Sequence, residues 1–293
     1  MIDSKAAIAV AGDARFYPRI ATLLRMLQDQ PDVAGRHPVW IFTDDVSFSA
    51  AGAMLQDSLA HMGLVRGQDH DFHIVSHDDL AALPDRYPGI SCYLRLWMPN
   101  AMAGYDRCLY LDVDVLLRHP LGPLLDTDLQ GRVLGAIDEP GTDSARRLGL
   151  ARAHTFNSGI LLIDLNRWMA EDVSRRCLDW LLQNRDRVIW ADQDALNAVL
   201  DTDVLDLDIR WNTLRNRVDE VPDPAIVHFN GAAKPWQYGT RHPYRDAYRA
   251  WLRRTSWAAP LMEHDTLRHR LRETPLYDLW QAGRSLTPQR RNA

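Results

Sequence analysis

The sequence of 293 residues is poor in cysteine and has no long apolar run. Its three cysteines, Cys92, Cys108 and Cys177, are widely spaced and form no Cys-x-x-Cys pair. They therefore indicate neither a disulfide framework nor a cysteine zinc site, and they favour a reducing compartment, the cytoplasm. No stretch approaches the ~18 uncharged apolar residues of a membrane-spanning helix. The apolar run near the N-terminus is too short for a signal peptide, so none is expected.

Lysine is also scarce, because 32 of the 34 basic residues are arginine and only Lys5 and Lys234 are lysine. The formal net charge of −5 and the scattered basic positions argue against nucleic acid as a partner. What the sequence does have is an apolar share of 46% with ordinary glycine and proline contents. That composition excludes a disordered chain and predicts one that folds around a sizeable core.

Short apolar runs alternate with longer stretches of helical periodicity along most of the chain. Strands are predicted at residues 6–11, 39–42, 72–75, 108–111, 132–137, 160–163 and 225–229. Helices are predicted from about residue 18, through 54–62 and 93–98, and at 166–183 and 192–200. This alternation is typical of an α/β domain with a largely parallel sheet and flanking helices.

The strand signal stops near residue 251, which divides the chain into a catalytic domain at 1–250 and a helical, basic tail at 251–293. The tail mixes arginine with tryptophan and leucine. Such a segment can lie on an anionic membrane surface, which would make the protein peripheral to the membrane. It can equally pack on the domain as a C-terminal helix with a solvated basic face.

The strongest local motif is an Asp-x-Asp at the end of a buried strand. Asp112 and Asp114 lie two residues apart, so their carboxylates point to the same side of the chain. Two carboxylates held so close repel each other unless a cation lies between them, and Mg²⁺ and Mn²⁺ prefer oxygen ligands. The alternative is a solvated strand-to-turn junction without a metal.

A second motif follows the last predicted strand, where His228 precedes Gly231 and Lys234. A neutral imidazole is a common metal ligand, and a lysine ammonium is a compact charge suited to phosphate. The alternative is a hydrogen-bonded structural histidine.

A third motif places Asn157 before a predicted strand and Asp192 at the start of a predicted helix. These side chains can be a turn and an N-cap. They can also bind a hydroxyl-rich ligand, because each sugar hydroxyl needs both donors and acceptors.

Four motifs follow one another along the chain: Leu-Asp-x-Asp, Phe-Asn-Ser-Gly, Asp-Gln-Asp-Ala-Leu-Asn and His-Phe-x-Gly-x-x-Lys-Pro-Trp. Their order and spacing from Leu111 to Trp236 resemble the family 8 glycosyltransferases, which include bacterial lipopolysaccharide galactosyl- and glucosyltransferases and, more remotely, glycogenin. The resemblance implies a GT-A fold, a Rossmann-like α/β architecture with a mixed, mostly parallel sheet. A UDP-sugar donor and Mn²⁺, or Mg²⁺, would bind at the carboxyl edge of that sheet.

The resemblance also implies residue roles. The metal ligands would be Asp112, Asp114 and His228. The positions that match the family's donor site are Ala11, Asp13, Arg15, Phe16, Arg95, Asp112, Val113, Asp114, Asn157, Asp192, Gln193, His228, Gly231 and Lys234. The positions around the transferred sugar, where catalysis takes place, include Asp138, Asp192 and Gln193. The sequence departs from the family around Ala14, where the common Ala-Asp-Asp-Asn-Tyr is absent.

The implied activity is metal-dependent transfer of a hexose, galactose or glucose, to a glycan or lipid-linked acceptor such as lipopolysaccharide. The family retains the anomeric configuration. Retaining hydrolases use a carboxylate nucleophile, but the corresponding residue here is Gln193, a poor nucleophile, so substitution from the same face is the usual explanation. The alternatives are a catalytically silent nucleotide-sugar-binding protein and a nucleotidyltransferase or phosphatase that uses the same metal.

Overall fold

The computed structural model describes residues 5–86, 89–237 and 239–257. Residues 258–293 of the predicted basic tail therefore lie outside the described residues. Within the described ranges, none of the helices combines the length and the apolar character needed to cross a membrane.

In the part of the chain that the structure describes, ten strands form two sheets. The strands are β1 (Ala6–Ala11), β2 (Val39–Asp44), β3 (His70–Val75), β4 (Arg107–Leu111), β5 (Val115–Leu117), β6 (Leu134–Glu139), β7 (Thr155–Asp164), β8 (Val204–Asp206), β9 (Thr213–Leu214) and β10 (Ile226–His228). The large sheet has seven strands in the order β3-β2-β1-β4-β7-β6-β8. Its strands are parallel except β7, which runs antiparallel to both of its neighbours. The predicted mixed, mostly parallel sheet is confirmed.

Helices cover both faces of this sheet. The α-helices are α1 (Tyr17–Gln28), α2 (Asp45–His61), α3 (His77–Ala81), α4 (Met98–Ala101), α5 (Gly122–Leu125), α6 (Ser144–Leu148), α7 (Leu165–Ala170), α8 (Val173–Gln183), α9 (Ala191–Leu200) and α10 (Arg245–Leu252). The described residues also form 3₁₀ helices at Ala14–Phe16, Ile90–Trp97, Ile209–Asn212 and Arg215–Arg217. The boundary expected at residue 250 falls within α10, and the division into a domain and a tail stays a prediction.

The core is divided between the two faces of the sheet because successive side chains of a strand point in opposite directions. In β1, Ile8 and Val10 pack with α1, α2 and α10. Ala7 and Ala9 belong to the opposite core, which is formed with α8, α9 and the 3₁₀ helix Ile90–Trp97. Every residue of β1 is buried, as expected for a strand covered on both sides.

The structure corrects three predicted elements. The segment predicted as a helix through 93–98 is the 3₁₀ helix Ile90–Trp97, followed by α4. The helix predicted at 166–183 is two helices, α7 and α8, because Asp172 between them adopts a left-handed backbone with φ of 51°. The strand predicted at 160–163 is longer, since β7 begins at Thr155.

The segment predicted as a strand at 225–229 forms β10, which belongs to a second, three-stranded sheet of order β5-β10-β9. β10 runs antiparallel to β5, and His228 lies opposite Val115 in their register. This pairing brings the end of β10 to the Asp-x-Asp motif, which connects β4 to β5.

Candidate active site

Two carboxylates and an imidazole meet where the two sheets join. His228 Nε2 lies 3.6 Å from Asp112 Oδ2 and 3.3 Å from Asp114 Oδ1. One potential ligand atom from each of the three residues falls within 4.8 Å of the others. Asp114 and His228 are buried, and Asp112 is partly buried. The structure thus brings together the three residues that the sequence predicted as metal ligands.

Hydrogen bonds orient Asp112 so that one carboxylate oxygen stays available. The Tyr110 hydroxyl donates to Asp112 Oδ1 at 2.6 Å, and Arg95 Nη2 donates to the same oxygen at 3.1 Å. Asp112 Oδ2 therefore faces His228. Tyr110 and Asp112 share a side of the chain because they lie two residues apart.

Asp114 lies between the Lys234 ammonium and the His228 ring, which is cationic when it is protonated. Lys234 Nζ donates to Asp114 Oδ2 and also to the Phe229 carbonyl oxygen, the latter at 2.9 Å. Burial alone would raise the pKa of the Asp114 carboxyl, but the Lys234 ammonium and the His228 ring outweigh it and hold that pKa well below its ordinary value. Asp114 is therefore ionised at neutral pH and can serve as a ligand.

A glycine permits this close approach of three side chains. A Cβ placed on Gly159 would lie 2.3 Å from His228 Cε1 and 2.8 Å from Asp112 Oδ2, so any larger residue would displace the ring or the carboxylate. Two carboxylate oxygens and one imidazole nitrogen form a ligand set suited to a divalent cation. The residues present therefore fit a metal of this class.

Asp112 and Asp114 line a cleft of about 420 Å³, a size typical of small-molecule sites, whereas His228, Asn157, Asp192 and Gln193 do not line it. Among the residues predicted to bind the donor, those that line the cleft are Ala11, Arg15, Phe16, Arg95, Asp112, Val113, Asp114, Gly231 and Lys234. Asp13 instead pairs with Arg15, whose Nη2 lies 2.7 Å from Asp13 Oδ2. The same carboxylate accepts the backbone N–H of Arg15 and so begins the 3₁₀ helix Ala14–Phe16.

Arg95 lines this cleft although most of its side chain is buried, and it contacts two acidic residues. Its Nη1 donates to Ser158, its Nη2 donates to Asp112, and its guanidinium stacks on the Tyr110 ring at 4.5 Å. Its Nε lies 3.0 Å from Asp192 Oδ2, but the Nε–H points to the carbonyl oxygen of Cys92. The contact between Arg95 and Asp192 is thus ionic and lacks an aligned hydrogen bond.

The structure excludes the N-cap interpretation of Asp192. The N-cap of α9 is Trp190, and Asp192 lies inside the helix with 2% of its surface exposed. Asp194 supports the helix start instead, because its Oδ2 accepts the N–H groups of Ile189 and Trp190. Burial raises the pKa of the Asp192 carboxyl to about 6, since desolvation exceeds the attraction of Arg95.

Asn157 and Gln193 are also brought together. Asn157 does not precede β7 but lies within it, and its Nδ2 is 3.3 Å from Gln193 Oε1. The N–H of Ser158 donates to the same Gln193 oxygen at 3.1 Å, and Gln193 Nε2 donates to Glu139 at 3.0 Å. The amides of Asn157 and Gln193 therefore have fixed orientations. They lie next to Ser158, which Arg95 contacts.

Asp138 is placed differently from the other predicted residues. Its carboxylate lies 2.6 Å from Arg152 Nη2, and the same guanidinium pairs with Asp206. The Asp138 carboxylate is therefore held in this ion-pair group, and its place near the transferred sugar stays a prediction.

Sequence reasoning missed several residues of the site. Tyr110 could have been found, because it precedes Asp112 by two positions on the same strand. The residues next to Gly159 did not indicate its role, because the side chains that leave no room for a Cβ there, His228 and Asp112, are distant in sequence. Asn212, whose Oδ1 lies 2.9 Å from His228 Nδ1, belongs to a 3₁₀ turn without apolar periodicity and gave no signal.

Two curated proteins and one solved structure place this architecture among known proteins. The chain is 30% identical over 189 residues to the general stress protein A of Bacillus subtilis, covering 57% of this chain and 66% of that protein. It is 28% identical over 170 residues to the lipopolysaccharide 1,2-glucosyltransferase of Escherichia coli, covering 52% of this chain and 50% of the relative. The chain thus spans half to just under two thirds of the length of these two relatives.

A crystal structure of the galactosyltransferase LgtC in complex with donor and acceptor sugar analogues superposes with a TM-score of 0.74. The two chains are 25% identical, and the match covers 91% of this chain and 99% of the other. The fold is therefore the GT-A fold expected from the sequence. The model of glycosyl transferase family 8 matches residues 62–240, more than half of the chain. The chain belongs to glycosyl transferase family 8.

Proposed function

We propose that the chain is a retaining, metal-dependent glycosyltransferase that moves a hexose, galactose or glucose, from a UDP-sugar to a carbohydrate or glycolipid acceptor. The observation that carries the proposal is the meeting of Asp112, Asp114, His228 and Lys234, of which the two aspartates and the lysine line one cleft. The resemblance to a galactosyltransferase crystallised with donor and acceptor sugar analogues supports the sugar chemistry. The relative named for lipopolysaccharide glucosyl transfer supports a lipopolysaccharide-type acceptor.

The acidic cluster would hold Mn²⁺ or Mg²⁺ through Asp112 Oδ2, Asp114 Oδ1 and His228 Nε2. A cation bound there would neutralise negative charge that develops on the departing diphosphate. Lys234 would add a second positive charge at the same place, because its ammonium already lies against Asp114. Gly231 lines the cleft without a side chain, which lets a diphosphate approach the backbone.

We assign the sugar end of the donor to Asn157, Asp192 and Gln193. The amide of Gln193 is held by Ser158 and Glu139, so it can bind hydroxyls in a fixed orientation. A neutral amide is a poor nucleophile, and retention at this site would then proceed by attack from the face that the diphosphate leaves. Asp138, bound to Arg152, would reach the sugar only after giving up that ion pair.

The proposal is tested by measuring UDP release from a panel of nucleotide sugars with Mn²⁺, in the wild type and in Asp114→Asn. We expect the variant to keep its circular dichroism spectrum and to lose activity by about 100-fold or more, as is usual when a group that stabilises transition-state charge is removed. Asp57→Asn, on the exposed surface of α2, is the matched control and should remain active.

Three outcomes separate the possibilities. Activity that survives EDTA, or full activity in Asp114→Asn, would contradict the metal-dependent reaction. Binding of a nucleotide sugar without release of UDP would favour a silent binding protein. Release of UDP from only one of UDP-galactose and UDP-glucose would identify the hexose.

Contact of the tail with a membrane is a further proposal, based on the basic, tryptophan-containing sequence after residue 251. Flotation of the full chain and of residues 1–257 with anionic vesicles tests it. Equal flotation of the two proteins would rule out a membrane contact through residues 258–293.

A further inference from the structure

A chain of buried amides connects His228 with Gln193. His228 Nδ1 lies 2.9 Å from Asn212 Oδ1, and Asn212 Nδ2 lies 2.9 Å from Asn157 Oδ1. Asn157 Nδ2 continues to Gln193 Oε1 at 3.3 Å. Asn212 is fully buried, and Asn157 is 7% exposed. Water therefore has little access to Asn212, and each of its polar groups must find a partner within the protein.

A backbone N–H group determines which side chain donates in each hydrogen bond between His228 and Gln193. The N–H of Gly159 can only donate, and it donates to Asn157 Oδ1 at 3.0 Å. The Asn212 group that faces this oxygen must then be its NH₂, which leaves the Asn212 oxygen facing His228. Because that oxygen can only accept, His228 Nδ1 must carry the proton.

A second backbone group supports the same direction from the other end. The N–H of Ser158 donates to Gln193 Oε1 at 3.1 Å, so the Asn157 group that faces this oxygen is its NH₂. This agrees with the orientation of Asn157 that Gly159 requires. The two backbone groups therefore give one consistent assignment for all three amides.

We infer that Asn212 is a positioning residue that holds His228 with its proton on Nδ1 and turns the lone pair of Nε2 toward Asp112 and Asp114. The inference rests on the proposed function for the role of the metal, but the proton position follows from the hydrogen bonds alone. A ligand histidine whose other ring nitrogen is bound in this way has a fixed ring orientation. The same amide also connects His228 to Asn157 and Gln193, the residues assigned to the transferred sugar.

The first test locates the proton directly. Long-range ¹H–¹⁵N NMR of the metal-free wild type, at a pH where the ring is neutral, should show His228 protonated on Nδ1. A ring protonated on Nε2 would overturn the inference. This measurement needs neither metal nor activity, so it remains decisive even if the wild type fails to bind Mn²⁺ and the proposed function is wrong.

The second test measures the dissociation constant for Mn²⁺ by electron paramagnetic resonance. Asn212→Ala should bind Mn²⁺ about tenfold or more weakly than the wild type, in the range usual for the loss of a partner of a metal ligand. Asn212→Leu fills much the same space but has no acceptor for the Nδ1 proton, so it should bind Mn²⁺ as weakly as Asn212→Ala. Recovery of the affinity in Asn212→Leu would show that Asn212 serves only to fill space.

Asn197→Ala is the matched control for loss of a buried amide. Asn197 is fully buried, and its amide bonds the backbone of Phe156 and Gln193 rather than His228. We expect it to lose stability as Asn212→Ala does but to keep its Mn²⁺ affinity. An Asn212→Ala protein that binds Mn²⁺ as tightly as the wild type would contradict the inference.

Discussion

Lys234 is one of only two lysines in a chain that otherwise uses arginine. Its ammonium lies in a confined place, between Asp114 Oδ2 and the Phe229 carbonyl oxygen. A guanidinium is planar and broader, and it cannot replace a compact charge where two acceptors lie so close together. The side chain is 19% exposed, so little room remains for a larger group.

We therefore predict that Lys234→Arg lowers kcat by about tenfold or more, equivalent to ~1.4 kcal/mol of lost transition-state stabilisation. Steady-state assays of UDP release measure this. The reverse exchange at an exposed position, Arg146→Lys, should have no effect, because that side chain is 84% exposed. Unchanged kcat in Lys234→Arg would show that only the charge at this position matters.

Asp192 gives the protein a specific dependence of stability on pH. Its pKa is 3.8 in an ordinary setting and about 6 in the fold, because burial disfavours the charged carboxylate. Between these values the folded protein keeps a proton that the unfolded chain has released. Raising the pH through this window therefore favours unfolding.

We predict that the free energy of unfolding of the wild type, relative to Asp192→Asn, falls by about 2 kcal/mol between pH 4 and pH 6. Urea denaturation of both metal-free proteins at intervals across this range measures the difference. Asparagine does not titrate, so the variant removes this contribution. A difference that stays constant with pH would mean that the pKa of Asp192 is the same in the folded protein and in the unfolded chain.

At the scale of elements, the site depends on the approach of β7 to β10. The carbonyl oxygen of Gly159 in β7 accepts the N–H of Asp112 at 2.7 Å, while the His228 ring lies over the same glycine. A methyl group there would occupy the place of the ring. Such overpacking typically costs about 1–3 kcal/mol where neighbours cannot move.

We predict that Gly159→Ala weakens Mn²⁺ binding by about tenfold or more while the protein still folds, because the displaced atoms belong to the ligands themselves. Mn²⁺ titration and thermal unfolding measure the two effects. Gly135→Ala in β6 is the control, since its added Cβ would meet the ends of Leu207 and Leu129, at 2.9 and 3.1 Å. These leucines can shift, so that variant should bind Mn²⁺ normally; weakened binding there too would point to a general disturbance of the sheet.

The elements that the sequence predicted well are those with strong local patterns. β1 begins and ends at the predicted residues because its side chains are apolar throughout and buried on both faces. The start of β7 was missed, since Asn157 and Ser158 interrupt the apolar run and are accommodated only through partners elsewhere in the chain. The small sheet has strands of three, three and two residues, too short for any periodicity.

The same distinction applies to the site. The Asp-x-Asp pair is local, and its shared face could be derived from spacing alone. That His228 joins it depends on the antiparallel pairing of β10 with β5, which joins segments more than 100 residues apart. The roles of Asn212 and Gly159 could not be predicted from the sequence, because both residues act through contacts with His228 that form only in the folded protein.

At the scale of the whole molecule, the metal cluster lies outside the two hydrophobic cores. One core extends from the large sheet into the small sheet through residues of β5 and β10, but the side chains of Asp112, Asp114 and His228 belong to neither core. We therefore expect folding not to require a cation. A cation and a nucleotide would instead bind the folded state and shift the unfolding equilibrium by mass action.

We predict that the chelator-treated protein stays folded, and that Mn²⁺ and UDP together raise Tm more than either does alone. At concentrations about 100 times Kd the stabilisation is ~2.7 kcal/mol, which corresponds to a rise of several degrees for a chain of this size. Thermal unfolding with each ligand, with both and with neither measures the effect. Asp112→Asn should remove the joint shift, because it loses a proposed ligand and keeps both cores. Equal shifts in the variant and the wild type would place the ligands elsewhere on the molecule.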